Sequence, residues 1–239
     1  MPHPHDLAPD LLARAIAEAD RPDLLQQLVD TSRGVWGVFT RHVPHTINYP
    51  WVMARLESLP AGSYILDIGA GVTPLPILLA EKGFNVQTVD PNPIIRTTEA
   101  TADWNEWGFF DYSQLHANLK SAHCTIADFA TDNLFDAIYS VSVLAHMSRA
   151  VREDTLRKCH DLLHPGGLLL LAIDIIPETN FIWNYSSGHL VEAPERHGTI
   201  YDVLEQLSSL GFEIFESEGR RAVATSRTDL AFIAGHRLG

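Results

Sequence analysis

Residues 64–74 of the chain read Tyr64-Ile65-Leu66-Asp67-Ile68-Gly69-Ala70-Gly71-Val72-Thr73-Pro74. The apolar run, with an acid at its end, is typical of a buried parallel strand, and the two glycines predict a tight turn after it. Thr73 suits the N-cap of a following helix, and Pro74 suits its first position. A strand, a glycine turn and a helix in direct succession indicate a nucleotide site.

Asp90 closes a second apolar run, about twenty residues further along the chain. Dinucleotide sites place an acid at this position to accept the hydroxyl groups of a ribose. The dinucleotide pattern also needs a third glycine, however, and Pro74 stands in its place. A site for a pyrophosphate is therefore disfavoured.

Strand and helix patterns alternate along most of the chain and predict an α/β fold. The predicted strands are Tyr64–Ile68, Phe84–Val89, Leu119–Ile126, Phe135–Val141, Leu168–Ile173, Phe212–Glu218 and Asp229–His236. The predicted helices cover two patterns between Pro9 and Ser32 separated by Pro22, then Tyr49–Leu59, Pro74–Lys82, Ile94–Asp103, a helix capped by Ser148, and Thr199–Leu210. We expect a doubly wound, mostly parallel seven-stranded sheet with helices on both faces and an antiparallel C-terminal hairpin.

Two regions fall outside this alternation. Residues 1–60 are predicted to form an N-terminal helical cap or lid, with a loop from Arg33 to Asn48, and residues 61–239 to form the core. The stretch from Pro177 to Gly198 is predicted to be an irregular insertion, because it is rich in Trp, Tyr, His and Ser.

Composition narrows the choice of partners. The chain has 239 residues and a formal charge of -13 with only 17 Lys and Arg, which argues against a nucleic-acid-binding surface. No apolar run reaches the ~18 residues of a membrane span, and the N-terminus lacks signal-peptide features. His42 and His45 have no cysteine or carboxylate companions at zinc-like spacing, so no metal site is predicted. We expect a cytoplasmic protein that is a monomer or a homodimer.

Five motifs follow one another in an order that resembles one large family. They are Leu66-Asp67-Ile68-Gly69-Ala70-Gly71, Val89-Asp90, Ala127-Asp128-Phe129, Phe135-Asp136-Ala137-Ile138 and Leu163-His164-Pro165-Gly166-Gly167-Leu168. In this order and spacing the chain resembles the class I S-adenosylmethionine-dependent methyltransferases. Thr73 departs from the family pattern, which usually has glycine there.

The resemblance implies a role for each matched position. Asp67, Gly69, Ala70 and Gly71 would hold the methionine end of S-adenosylmethionine, and Asp90 would accept both ribose hydroxyls.

The later motifs complete the implied site. Asp128 would bind the adenine amine, and Phe129 would donate its backbone N–H or pack on the ring. Val141 lies where family members use backbone carbonyls for the cofactor ammonium. His146 occupies a place where the family often has a histidine that faces the transferred methyl.

We therefore expect methyl transfer to an oxygen or nitrogen of a small-molecule acceptor of the natural-product, sugar or phenol type. Two alternatives remain open from the sequence. One is a nicotinamide-dependent oxidoreductase, which Pro74 disfavours. The other is a protein that binds the cofactor without catalysis.

Overall fold

A computed structural model describes residues 4–96, 105–182, 185–186, 189–190, 196–221, 223 and 226–239. The chain divides into two compact units, residues 1–125 and 126–239. The helices of the described residues are α1 (Pro9–Glu18), α2 (Pro22–Trp36), α3 (His45–Leu56), α4 (Leu75–Glu81), α5 (Arg149–Leu162) and α6 (Ile200–Ser209). The strands are β1 (Tyr64–Ile68), β2 (Asn85–Val89), β3 (Leu119–Ala122), β4 (Phe135–Val141), β5 (Leu163–Ile175), β6 (Phe212–Arg221) and β7 (Asp229–Arg237).

These seven strands belong to one mixed sheet, whose order is β3-β2-β1 in the first unit and β4-β5-β7-β6 in the second. The α/β fold class and the antiparallel C-terminal strands predicted from the sequence are confirmed. No described helix has both the length and the apolar character needed to span a membrane.

The strands of the first unit are parallel to one another. In β1 and β2, Ile65 lies opposite Val86 and Ile68 opposite Val89. Residues 65–68 of β1 are buried, as expected for a strand covered on both faces, whereas Tyr64 at its start is exposed. The parallel arrangement brings the carboxyl ends of β1 and β2 to the same edge of the sheet, which is where an open α/β sheet binds ligands.

The second unit combines one parallel pair with an antiparallel hairpin. Strand β4 runs parallel to β5, whereas β7 pairs antiparallel with both β5 and β6. The ladder between β5 and β7 extends from Leu168 to Ile175, so β5 continues past the predicted end at Ile173. Helix α6 begins with a capping box, in which Thr199 and Asp202 satisfy each other's backbone N–H groups.

The predicted loop from Arg33 to Asn48 is wrong at both ends. Helix α2 continues to Trp36, where Gly37 ends it in the left-handed conformation, and α3 already begins at His45. Pro50 therefore lies inside α3, where its missing hydrogen bond costs about 3 kcal/mol. Burial of neighbours such as Trp51 and Val52 offsets this cost, because each stabilises the fold by roughly 1.5–3 kcal/mol.

Two other predicted elements differ from the structure, one at its start and one at its end. Ile94 and Ile95 are not helical, because Ile94 forms a parallel bridge with Phe109 and Ile95 donates its N–H to the Phe109 carbonyl at 2.7 Å. The rest of that predicted helix, from residue 97, lies outside the described residues. Strand β3 stops at Ala122, opposite Val89, because β2 ends there and offers no further partner.

The insertion predicted at residues 177–198 lies only partly within the described residues. Its described part contains two short strands, Tyr185–Ser186 and His189–Leu190, which pair with each other. At the start of the insertion, Ile182 forms an antiparallel bridge with Ile175 at the end of β5.

Candidate functional site

The turn after β1, residues 69–73, is called the glycine loop below. Gly69 and Gly71 have φ angles of 73° and 57°, which side-chain-bearing residues adopt only at a cost. A Cβ atom on Gly71 would lie 2.9 Å from the Glu106 carbonyl oxygen. Both conformation and space therefore require glycine at position 71.

Asp90 lies beside the glycine loop and is only 2% exposed. Its Oδ2 accepts the Gly71 N–H at 2.8 Å, and its Oδ1 accepts the Asn92 N–H at 2.7 Å. Burial raises the pKa of Asp90 above its ordinary value, and these two backbone N–H groups oppose that rise. Because an ionised carboxylate has about four lone-pair positions, Asp90 keeps acceptor capacity beyond these two bonds.

Tyr112 fixes the other side of the glycine loop, and the sequence did not assign it a role. Its hydroxyl accepts the Thr73 N–H at 2.7 Å and lies 3.0 Å from the Gly71 carbonyl oxygen. The side chain is fully buried, and this burial raises its pKa well above the ordinary value, so the hydroxyl keeps its proton. The aromatic crowding of residues 104–112 was the available signal, but it did not single out Tyr112.

The predicted start of α4, with Thr73 as N-cap and Pro74 as first helical residue, is wrong by one position. The helix begins at Leu75, one residue later than predicted, and Thr73 Oγ1 accepts the Leu75 N–H at 3.3 Å. Pro74 therefore occupies the N-cap position without a side-chain cap, and the Thr73 hydroxyl bonds to the first helical residue from one position further back. The Thr73 side chain is compatible with the loop because it turns back to the helix backbone.

Asp67 and Ala70 complete the predicted residues of the first unit. Both are buried, Asp67 within β1 and Ala70 between the two glycines. The negative charges of Asp67 and Asp90 each contribute to the raised pKa of Tyr112. The first unit thus brings Asp67, Asp90 and the glycine loop together around one tyrosine.

Asp128 and Phe129 lie in the second unit. The Asp128 side chain is exposed, and Phe129 is buried. The Phe129 N–H donates to the Ile126 carbonyl at 3.3 Å, at the long end of hydrogen-bond distances.

Val141 is the last residue of β4, and His146 ends a short 3-10 turn that begins at Leu144. Between them Ser142 has a φ of 58°, the left-handed region in which a residue other than glycine is strained. The Ser142 N–H donates to the Ala172 carbonyl at 2.9 Å, which holds this conformation. His146 is exposed to solvent.

The described residues contain no group of three or more His, Cys, Asp or Glu side chains arranged to hold a metal ion.

Comparison with known families gives one match that covers most of the chain. The family described as "Methyltransferase domain" matches residues 39–213.

Curated relatives match about half of the chain. A ubiquinone biosynthesis O-methyltransferase of Xanthomonas axonopodis is 29% identical over 131 residues, which cover 55% of this chain and 50% of the relative. A 2-methyl-6-phytyl-1,4-hydroquinone methyltransferase of Synechocystis is 30% identical over 133 residues, covering 53% of this chain and 37% of the relative. An uncharacterised protein of Mycobacterium tuberculosis is 28% identical over 117 residues, covering 49% and 38%. The chain spans half or less of the length of these curated relatives.

A solved structure matches nearly the whole chain. The 1,6-didemethyltoxoflavin-N1-methyltransferase of Burkholderia thailandensis, solved with its acceptor and S-adenosylhomocysteine bound, has a TM-score of 0.61 and 18% identity. The match covers 97% of this chain and 91% of that protein. Identity at this level establishes the shared fold, and the family match at residues 39–213 adds the sequence evidence. The chain belongs to the class I S-adenosylmethionine-dependent methyltransferase family.

Proposed function

We propose that this protein transfers a methyl group from S-adenosylmethionine to an oxygen or nitrogen of a small-molecule acceptor. The observation that carries the proposal is the Asp90 carboxylate, buried at the end of β2 and bonded to the Gly71 N–H at 2.8 Å. A carboxylate that can accept ribose hydroxyls thus lies beside a glycine loop, whose backbone a ligand can approach closely.

The first unit suits the nucleoside and amino-acid parts of this cofactor. Asp90 accepts the two ribose hydroxyls with its remaining lone pairs, and its backbone bonds to Gly71 and Asn92 fix its orientation. Gly69, Ala70 and Gly71 carry no side chain larger than a methyl, so backbone can approach the methionine end. Asp67 supports this end of the site from β1.

Four residues of the second unit take roles that the family resemblance assigns. Asp128 binds the adenine amine, Phe129 packs on the adenine ring, and the Val141 carbonyl accepts the cofactor ammonium. His146 lies on the acceptor side, where its ring shapes the pocket or takes a proton. These four roles are independent of one another.

When bound, the cofactor supplies a methyl group already activated by a positive sulfur. The protein therefore has to align sulfur, methyl carbon and acceptor in one line, and such alignment contributes ~7–11 kcal/mol to catalysis. The fixed glycine loop, with hydrogen bonds to Asp90 and Tyr112, provides the rigidity that alignment needs.

Two features support a small-molecule acceptor. The net charge of -13 disfavours a polyanionic substrate such as nucleic acid. The relatives named after quinone and hydroquinone substrates, and the toxoflavin enzyme, act on small ring compounds by their names. Residues 1–60 serve in this proposal as a lid, and residues 177–198 as part of the acceptor pocket.

The first experiment is calorimetry of the purified protein with S-adenosylhomocysteine and, as a matched competitor, NADH. We expect binding of S-adenosylhomocysteine only. Tight binding of NADH alone would overturn the proposal in favour of an oxidoreductase.

A second experiment separates an enzyme from a non-catalytic binding protein. Release of S-adenosylhomocysteine is followed from S-adenosylmethionine across a panel of phenols, sugars and amines. Turnover that depends on an acceptor is expected. Cofactor binding without turnover on any acceptor would identify a non-catalytic protein.

A further inference from the structure

A charged cluster of the first unit lies against the glycine loop and has no part in the assignments above. It is called the Glu106 cluster and consists of Thr40, Arg41, His42, His45, Glu106 and Trp107. Its link to the loop is through the backbone, because the Val72 N–H donates to the Glu106 carbonyl at 2.8 Å. The same carbonyl limits the space beside Gly71. The cluster is thus fixed at the loop that holds the methionine end in the proposed function.

Glu106 is a buried carboxylate, with a side chain only 6% exposed. Its Oε2 accepts the Thr40 hydroxyl at 3.1 Å, and its Oε1 lies 3.3 Å from both His42 Nε2 and Arg41 Nε. Burial acts to raise the pKa of Glu106, but the neighbouring His42 and His45 rings and the Thr40 hydroxyl outweigh it and hold the pKa below its ordinary value. Glu106 therefore stays ionised at neutral pH.

His42 joins this buried charge to the surface. Its side chain is 38% exposed, whereas Nε2 is buried on the side of Glu106. Neither Nε2 nor Glu106 Oε1 has a well-aligned hydrogen bond within the described part of the chain, although the two atoms are 3.3 Å apart. A small adjustment would align this pair, and the pair becomes more favourable when the imidazole gains a proton.

The other members of the cluster define what can approach His42. Trp107 is 48% exposed, its ring lies 5.1 Å from that of His42, and the Arg41 guanidinium lies 5.3 Å over it. His45 is buried and stacks on Tyr49 at 4.4 Å; burial lowers its pKa to about 4, so it is neutral and adds no charge at neutral pH. The exposed Trp107 ring can stack on a planar acceptor, and the Arg41 guanidinium beside it can attract a hydroxyl group that ionises.

We infer that His42, and not His146, is the proton acceptor of the methyl transfer, that Glu106 is its positioning residue, and that the acceptor is a phenol-like hydroxyl compound. This inference rests on the proposed function. A carboxylate that orients a histidine and stabilises its protonated form is an established arrangement for a general base. Here Glu106 faces Nε2, so Nδ1 receives the proton.

The methyl transfer breaks two bonds and forms two. The acceptor O–H bond breaks and its proton goes to His42 Nδ1, while an oxygen electron pair forms the new bond to the methyl carbon. The bond between that carbon and sulfur breaks with its electron pair kept by sulfur, which becomes a neutral thioether. The imidazolium, paired with Glu106, then releases its proton to solvent.

The test compares two phenols that differ in acidity. 4-Methylphenol is neutral at the assay pH and needs a base, whereas 4-nitrophenol is largely ionised and needs none. In His42→Gln we expect the rate with 4-methylphenol to fall about 100-fold or more, in line with the ~10²–10⁴-fold contribution of a general base. The rate with 4-nitrophenol should change less than fivefold, and the affinity for S-adenosylhomocysteine should stay within twofold.

Glu106 is tested by rescue. Glu106→Gln should lose most of the rate with 4-methylphenol, and Glu106→Asp should retain more of it, because only the aspartate keeps a charge beside His42. A purely structural role would give equal losses with both phenols. Urea unfolding of each variant establishes that it is folded, and His164→Gln, at an exposed histidine far along the sequence, serves as the control with unchanged rates.

The outcomes separate the two proposals. Failure of the wild-type protein to bind S-adenosylhomocysteine overturns the proposed function. Binding with no transfer to either phenol overturns the acceptor class inferred here. The role of His42 is overturned if His42→Gln keeps the wild-type rate with both phenols. It is also overturned if the variant loses the same fraction of the rate with both.

Discussion

The glycine loop and the Glu106 cluster are neighbours in the first unit, but they are held in opposite ways. The loop is fixed by backbone hydrogen bonds on two sides, to Asp90 and to the Tyr112 hydroxyl. The cluster instead has a buried carboxylate whose Oε1 lies 3.3 Å from both Arg41 Nε and His42 Nε2, and both of those side chains reach the surface.

This difference indicates a different function for each region. Fully bonded backbone is rigid, which suits a loop that must hold one ligand in one position. A buried carboxylate next to a half-exposed histidine can respond to a change in charge, which suits a place where a proton is gained or lost. Three predictions test this contrast.

The largest effect is expected at Asp90. Its two oxygens each accept a backbone N–H, so Asp90→Asn places an amide NH₂ against one of these donors and removes the charge. Loss of two charge-assisted bonds to the ribose, at ~1.5–3 kcal/mol each, should weaken S-adenosylhomocysteine binding by about 10²–10⁴-fold in calorimetry.

Asp132→Asn is the matched control, because Asp132 is exposed, and its affinity should equal that of the wild type. Urea unfolding distinguishes lost binding from lost folding. An Asp90→Asn protein that is folded and keeps wild-type affinity would refute the ribose contact.

The second prediction concerns the pH dependence of stability that is due to His45 of the Glu106 cluster. Burial lowers the pKa of His45 from 6.5 to about 4, so between these values the unfolded chain binds a proton that the folded protein does not. Stability from this residue is complete above pH 6.5, falls as the pH drops, and levels off below pH 4. The total loss is about 3 kcal/mol in the free energy of unfolding.

Urea unfolding between pH 4 and 8 measures this slope. His45→Gln should flatten it in part, since burial also lowers the pKa of His197, whose contribution stays. Gly34→Ala, which removes no titratable group, should leave the slope unchanged. An undiminished slope in His45→Gln would mean that His45 is not a neutral buried side chain.

The smallest effect is expected where the two regions meet. Gly71→Ala combines a φ of 57° with a Cβ only 2.9 Å from the Glu106 carbonyl, and should lower the free energy of unfolding by about 1–3 kcal/mol. Gly34→Ala is a control with the opposite sign. Gly34 lies exposed in α2 with no atom within 4 Å of a new Cβ, so alanine should stabilise the protein by about 0.5–1 kcal/mol.

Urea unfolding measures the free energy of unfolding of both glycine variants. Equal stabilities for Gly71→Ala and Gly34→Ala would show that the loop can move away from the Glu106 backbone. The rigidity assigned to the glycine loop would then be wrong.

Strand predictions succeeded where the apolar pattern is continuous. Strand β4 was predicted with its observed bounds, Phe135–Val141, because a run buried on both faces has no other way to hide its side chains. Helix boundaries failed where tertiary packing overrides local preference. Proline favours the start of a helix, yet packing of its buried neighbours extends α3 to His45, five residues before Pro50.

The sequence by itself determined the family, the α/β order and the pairing of a glycine loop with an acid at the end of β2. These features depend on residues close along the chain, where each residue type has one main structural use. Glycine at position 71, with its positive φ, belongs to this group.

Only the tertiary structure decided what surrounds the loop. Tyr112 lies 39 residues from Thr73, and Glu106 lies 66 residues from Thr40, yet hydrogen bonds join each pair. No periodicity or spacing encodes such contacts, because they depend on where the connection after β2 returns. The sequence showed His42 and His45 as a pair without carboxylate companions, and folding supplied the carboxylate of Glu106.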